Sequence, residues 1–399
     1  MHNSSGRLKI FNGQIIGPDA IIPGSCVLVE QGKIVGIEPM DTDFPEAELV
    51  DAQGNYISPG FIDIHVHGGG GCDFMDGTVE AFLTIAETHA KHGTTSLLPT
   101  TLTSEKEDLI QTLEAFGRAE KVNGMGANLI GMHLEGPYFA MAQRGAQDPK
   151  YIRNPDPAEY EEILKTYSCI KRWSAAPELK GAVEFGKFVT SKGVLAAIAH
   201  TDAIYEEVLE AFHEGGYTLA THFYSAMSGV TRRNAYRYAG VVESAYLLED
   251  MDVEIIADGV HLPAPLLKLV YKIKGPHRIA LITDAMRAAD MPPGNSILGS
   301  LKNGLSVLVE DGVAKLPDRT AFAGSVATAD RCVRTMLNMA EVPLVETIQM
   351  MSHNPARILG IEGQKGSLSV GMDADIVIFN PEIEVQKTIV KGRSVYQKV

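Results

Sequence analysis

The chain is poor in several things, and each scarcity narrows what it can be. Its four cysteines, Cys26, Cys72, Cys169 and Cys332, are scattered through 399 residues with no CxxC spacing. That argues against a disulfide framework and a cysteine-built metal knuckle, and fits free thiols in a reducing compartment. No run approaches 18 apolar residues, and the opening MHNSSGRLKIFNG has no apolar signal segment. A cytoplasmic protein without a membrane span is the expectation. Positive charge is short: 35 Lys and Arg against 50 Asp and Glu leave a net charge of −15. Such a field disfavours nucleic acid and anionic membrane as partners. A phosphorylated ligand must therefore be drawn in by local Arg, Lys or backbone N–H groups.

What is present is an ordinary globular composition, 45% hydrophobic with 39 glycines, in a length that allows a barrel-sized core and a modest second domain. Residues 8–57 read as short β elements separated by Gly-containing turns such as Gln31-Gly32, and segments 371–379 and 388–396 have the same texture. Pairing the two ends buries edges that neither protects alone. The expected organisation is a small β-sandwich built from both termini, residues 1–58 and 360–399, around a catalytic domain of residues 59–359.

The middle alternates. Apolar strand candidates fall at 60–66, 95–101, 128–134, 172–176, 194–199, 218–223, 253–258 and 278–283, with amphipathic stretches such as 78–92, 104–121, 181–192 and 204–214 between them. Eight strands alternating with helices predict an α/β fold, a (β/α)8 TIM-like barrel. An inserted β-hairpin is expected at 297–316, then helices at 326–340 and 344–358.

Chemistry-bearing residues close the apolar runs: His65 and His67 in GFIDIHVHG, Glu135 in LIGMHLEGP, His200 in LAAIAHTD, His222 in LATHF and Asp284 in IALITDAM. Two His at i and i+2 of a strand share a face and can grip one cation, and the following Gly68–Gly71 is expected to leave room at the mouth. A carboxylate after a buried strand is costly unless it is paired or metal-bound, which marks Glu135. Asp284 suits a base that takes a proton from a cation-activated water and hands it to a departing amine. His133 shares the face of Glu135 as a supporting partner, and His261, after the seventh strand, is a substrate-contact candidate.

PGFIDIHVHGGGG, HLEGPYF, AHTDA, THFYSAM, ADGVHLP, ITDAM and the late HNPARILGIEGQKGSLSVGMDADIVIFN occur in an order that resembles the N-acetylglucosamine-6-phosphate deacetylases of the amidohydrolase superfamily. The likeness runs from about residue 8 to the end. It implies deacetylation of N-acetyl-D-glucosamine 6-phosphate, with Glu135, His200 and His222 as ligands of the principal divalent ion and Asp284 as catalytic acid/base. His65 and His67 are both kept, so one or two divalent ions per subunit are implied, zinc or iron first among them, the second held by His65, His67 and Asp284. Substrate contacts map onto Ala146, Gln147, Ser225, Ala226, Arg233, Asp258, His261 and Ala323. A homodimer is implied, with the Arg233 and His261 regions near the neighbouring subunit's substrate.

Three departures from the family pattern stand out. Gln147 replaces a His found in many relatives, Ser225 replaces the usual Asn, and residues 231–240 (TRRNAYRYAG) replace an Arg-Glu-Pro-Gly pattern. Arg232 and Arg237 keep that segment cationic, so an anionic substrate remains the expectation. A deacetylase of N-acetylgalactosamine 6-phosphate or another N-acyl sugar is the alternative. An inactive scaffold is a remote one, because the chain retains every ligand.

Overall fold

The computed structural model describes residues 6–398; residues 1–5 and 399, the outer ends of the two terminal segments, lie outside the described part. Strands Phe61–Val66, Thr94–Pro99 and Asn128–Leu129 pair in parallel, and Met132–Glu135, Ile170–Ala175, Leu195–Ile198, Tyr217–Ala220, Asp252–Ile256 and Ile279–Ile282 follow in a second parallel sheet. Parallel bridges Thr100↔His133 and Val66↔Ala285 join their edges. The parallel sheet thus curls round in TIM-like form. Strands such as Phe61–Val66 and Thr94–Pro99 are buried along their whole length, as strands covered on both faces must be.

Helices on the outside begin where the chain offers caps. The Thr78 side chain accepts from Ala81 N ahead of Val79–Lys91, and Asp156 accepts from Ala158 N ahead of Pro157–Thr166, whose proline occupies the first turn. Their apolar stripes join a continuous core that includes Phe82, Phe116, Trp173 and Phe185.

Both ends of the chain meet in one sheet. Its order is Arg393–Gln397, Val385–Val390, Ile376–Phe379, Tyr56–Pro59, Gln14–Ile16, Ile21–Ile22. A four-stranded sheet, Lys33–Pro39, Ser25–Glu30, Arg7–Phe11, Glu48–Asp51, shares an apolar core with it through Ile10, Val27 and Val29 on one side and Ile57, Ile376 and Ile389 on the other. Val377 and Phe379 of the same six-stranded sheet belong instead to the main core, so this sheet is buried from both sides.

The segment after Ile279–Ile282 differs from the expected hairpin. It forms four antiparallel strands, Gly294–Leu298, Leu305–Glu310, Val313–Lys315 and Phe322–Ser325. The last has no alternating pattern of its own; long-range pairing makes it a strand, with Ser325 N donating to Asp284 O at 2.9 Å. The helix expected over 344–358 is broken at Ser352 into Leu344–Met351 and His353–Ile358, because Pro355 has no N–H to continue the first helix's ladder.

Candidate metal centre

The strand ends are where the backbone leaves its comfortable conformations. His200, His222 and Asp284 adopt φ of 48°, 32° and 48°, a left-handed region that non-glycine residues seldom occupy. Strain of this kind, of order 1 kcal/mol or more per residue, persists where surrounding contacts demand it and gathers at functional sites. Here it accompanies the convergence of these side chains on a common point.

Two ligand groups face each other: His65, His67 and Asp284, and Glu135, His200 and His222, all buried. In the first, His65 Nε2 lies 3.2 Å from His67 Nε2, and His67 Nε2 lies 3.2 Å from Asp284 Oδ1. In the second, Glu135 Oε1 lies 3.2 Å from His222 Nε2 and 3.3 Å from His200 Nε2, with the two imidazole nitrogens 3.2 Å apart. Glu135 stands between the groups, since its Oε2 is 3.5 Å from His67 Nε2. Ligand atoms about 3.3 Å apart form the edge of a tetrahedron whose centre is about 2.0 Å from each, the bond length of a zinc-like ion.

His200 shows why a cation belongs there. Its Nδ1 is 2.8 Å from the carbonyl oxygen of Gln143, which only accepts, so Nδ1 carries the proton. In the neutral ring Nε2 then presents a bare lone pair toward a carboxylate oxygen and another imidazole nitrogen. A bare imidazole lone pair facing a carboxylate oxygen in a buried space calls for a positive charge or a proton between them. The residues fit a divalent ion.

The same groups bias one another's protons. Burial opposes charge on His67, yet Asp284 and Glu135 push its pKa up to about 9. Burial also works against Glu135 and Asp284, but the surrounding imidazoles hold Glu135 well below and Asp284 below the usual carboxylate range. For His65 burial wins, and its pKa falls.

Supporting contacts are dense. Arg172, fully buried, grips Glu254 with both guanidinium nitrogens, one of them 2.7 Å from Oε2, and donates to Thr221 Oγ1 and Ile64 O. Glu254 Oε2 lies 3.7 Å from His65 Nδ1 and so aims that ring. Asp63 accepts from Thr283 Oγ1 at 2.5 Å, linking the strands that carry His65 and Asp284. His133 contacts Ser174 and Thr100 and packs its ring edge-on against His65. The run Gly68–Gly71 does not open the mouth as expected: a Cβ at Gly68 would lie 2.4 Å from Cys72 O and 2.8 Å from Arg287 N, so glycine is required there by close packing.

A cavity of about 420 Å³ lies over the two groups, lined by His67, Glu135, Ala146, Gln147, His200, His222, Ser225, Ala226, His261 and Asp284. Three expected contacts fall outside it. Arg233 is exposed on the ribbon Thr231–Arg233/Tyr236–Tyr238, its guanidinium over the Tyr238 ring. Asp258 holds His261 Nδ1 at 2.8 Å and caps its backbone, so it orients a cavity residue without lining the cavity. Ala323 is buried in a small apolar cluster, while its neighbours Phe322 and Gly324 reach the cavity. Gln143, Tyr224, Phe322 and the Arg172–Glu254 pair went unforeseen. Only the fold brings them to the site, although Arg172 beside Trp173 in a strand was a signal for the last.

A sequence profile of the Amidohydrolase family matches residues 56–395. N-acetylglucosamine-6-phosphate deacetylase of Vibrio furnissii is 32% identical over 389 residues, 97% of this chain and 94% of that one. N-acetylgalactosamine-6-phosphate deacetylase of Escherichia coli O157:H7 is 32% identical over 367 residues, 92% of this chain and 93% of that one. The crystal structure of N-acetylglucosamine-6-phosphate deacetylase from Pasteurella multocida superposes with a TM-score of 0.91 at 28% identity, over 98% of this chain and 100% of that one. A profile spanning the barrel, near-full-length relatives and a shared fold give one conclusion: the chain belongs to the amidohydrolase family, in its N-acetylglucosamine-6-phosphate deacetylase branch.

Proposed function

We propose that the chain hydrolyses the acetamide of N-acetyl-D-glucosamine 6-phosphate to D-glucosamine 6-phosphate and acetate, in the breakdown or recycling of amino sugars. The observation that carries the reading is the pair of ligand groups joined across Glu135 beneath a sugar-sized cavity. Glu135, His200 and His222 hold the principal divalent ion, and His65, His67 and Asp284 a second, zinc or iron in both places. When bound, such ions polarise an acyl oxygen and acidify water. Asp284 takes the proton of the attacking water as oxygen joins the acetyl carbon. It then gives that proton to the sugar nitrogen as the C–N bond breaks. Ala146, Gln147, Ser225, Ala226 and His261 surround the sugar. Asp258 acts through His261, and the Ala323 segment acts through its neighbours.

The exposed Arg233 ribbon suits the phosphate of a substrate held by a second copy, and we read the working form as a cytoplasmic homodimer. We also read the terminal sheets as a small sandwich domain, residues 1–58 and 360–399, against a barrel domain of residues 59–359. N-acetylgalactosamine 6-phosphate is the second reading. A relative named for that sugar is as similar as one named for the first, and Ser225 departs from the common pattern.

Acetate release from both sugars, each with and without the 6-phosphate, tests the assignment. We expect N-acetylglucosamine 6-phosphate to be preferred by kcat/KM and the unphosphorylated sugars to be poor substrates. Equal rates on phosphorylated and free sugars would remove the proposed role of Arg233; preference for N-acetylgalactosamine 6-phosphate would favour the second reading.

A further inference from the structure

Glu135 has a position that nothing in its own chemistry secures. To serve two ligand groups it must aim one oxygen at each, yet the terminal torsion of a glutamate is broad and nearly two-fold, so the aim must be imposed from outside. Gln147 supplies it. The amide Nε2 lies 2.8 Å from Glu135 Oε2, while its Oε1 accepts from Thr103 N at 2.9 Å and Thr103 Oγ1 at 3.0 Å. A backbone N–H can only donate, so the amide cannot be turned round: its oxygen must face Thr103 and its nitrogen must face Glu135. The residue is buried, and the loop that carries it also supplies the Gln143 carbonyl that sets the His200 tautomer.

We infer that Gln147 is a positioning residue that holds Glu135 as a bridge between the two ligand groups, and that it sets whether the chain binds two ions or one. The line runs Thr103 to Gln147 to Glu135. With the amide in place, Oε2 faces His67 at 3.5 Å while Oε1 sits between His200 and His222, with His65 Nε2 also 3.5 Å away. Without it, the carboxylate is free to turn both oxygens onto the His200–His222 ion. The His65–His67–Asp284 group then loses the oxygen that faces His67 and is left to its two imidazoles and Asp284 for close ligands.

This rests on the two-ion reading above, and the experiment separates the two. Metal-stripped full-length protein is titrated with Mn(II), stoichiometry and affinity are followed by calorimetry, and the paramagnetic resonance spectrum reports whether two ions are coupled through a bridge. We expect wild type to take up two equivalents with a coupled spectrum. Gln147→Met, of similar size but without a donor, should keep the first ion, bind the second about 10–100-fold more weakly and lose the coupling. Thr103→Val removes one anchor of the amide and should weaken the second ion in the same direction by a smaller factor, which serves if Gln147→Met does not fold. Unchanged second-ion affinity and coupling in the folded variants overturn the inference while leaving the two-ion reading intact. A single equivalent in wild type overturns both.

Discussion

At the scale of single residues the site is an arrangement of acceptors. Four imidazoles and two carboxylates meet within hydrogen-bond distance, and the proton on His200 is already committed to Gln143. In the proposed mechanism Asp284 has the double task of facing a cation and carrying a proton. Asp284→Asn should therefore lower kcat for acetate release by about 10²–10⁴-fold while the ion at Glu135, His200 and His222 is retained, as metal analysis of the purified variant will check. Near-normal turnover would end the proposed role. Arg172 is a different kind of residue: it touches no part of the cavity, yet it neutralises Glu254 in full burial. Arg172→Met leaves that carboxylate uncompensated behind His65, and urea unfolding should show a loss of about 3–5 kcal/mol.

At the scale of elements, the strands and their order were legible because a strand buried on both faces reads as an unbroken apolar run, as Phe61–Val66 does. The helices were legible from their 3.6-residue stripes and their caps. The sheet at 294–325 was only half legible, since Phe322–Ser325 takes its conformation from pairing with distant chain. The helix Ala329–Thr335 makes a charge prediction possible. Burial opposes the charge of Asp330, but His92, Arg334 and Thr328 hold its pKa at about 2, below the ordinary 3.8. A depressed carboxylate stabilises the fold above its unfolded pKa and loses that contribution as pH falls through the folded one. Asp330→Asn should thus cost about 2 kcal/mol near pH 6, a gap that narrows as the pH drops below about 4. The raised pKa of His92 makes its own share fade at high pH instead. Denaturant unfolding of both proteins across that range will check the slope, and a gap independent of pH would mean the ion pair contributes nothing.

At the scale of the whole molecule, the two chain ends form one sheet that is buried from both sides, and a charged knot ties it down. Lys365, almost fully buried, reaches Asp373 at 2.8 Å and Asp375 at 2.5 Å, and Lys33 from the other end of the chain also meets Asp373 at 2.7 Å. The GMDAD motif thus does structural work far from the metal centre. The exposed ribbon bearing Arg233 makes its prediction at this scale. If Arg233 serves a neighbour's substrate, mixing inactive Arg233→Ala with inactive Asp284→Asn subunits should restore activity, because a hybrid dimer contains one complete site. No recovery after subunit exchange would place Arg233 outside catalysis.

The sequence by itself determined the curled α/β middle, the pairing of the two ends and the six ligand candidates. Those features follow from local periodicity and from the cost of leaving His, Asp and Glu at the ends of buried strands. Tertiary structure alone decided the rest. It placed Gln147 against Glu135 and Arg172 behind His65, withdrew Arg233, Asp258 and Ala323 from the cavity wall, and packed the glycine run against Arg287. These are contacts between residues far apart in the chain. Their partners are chosen by how strands and loops come together in space, which no spacing along the sequence records.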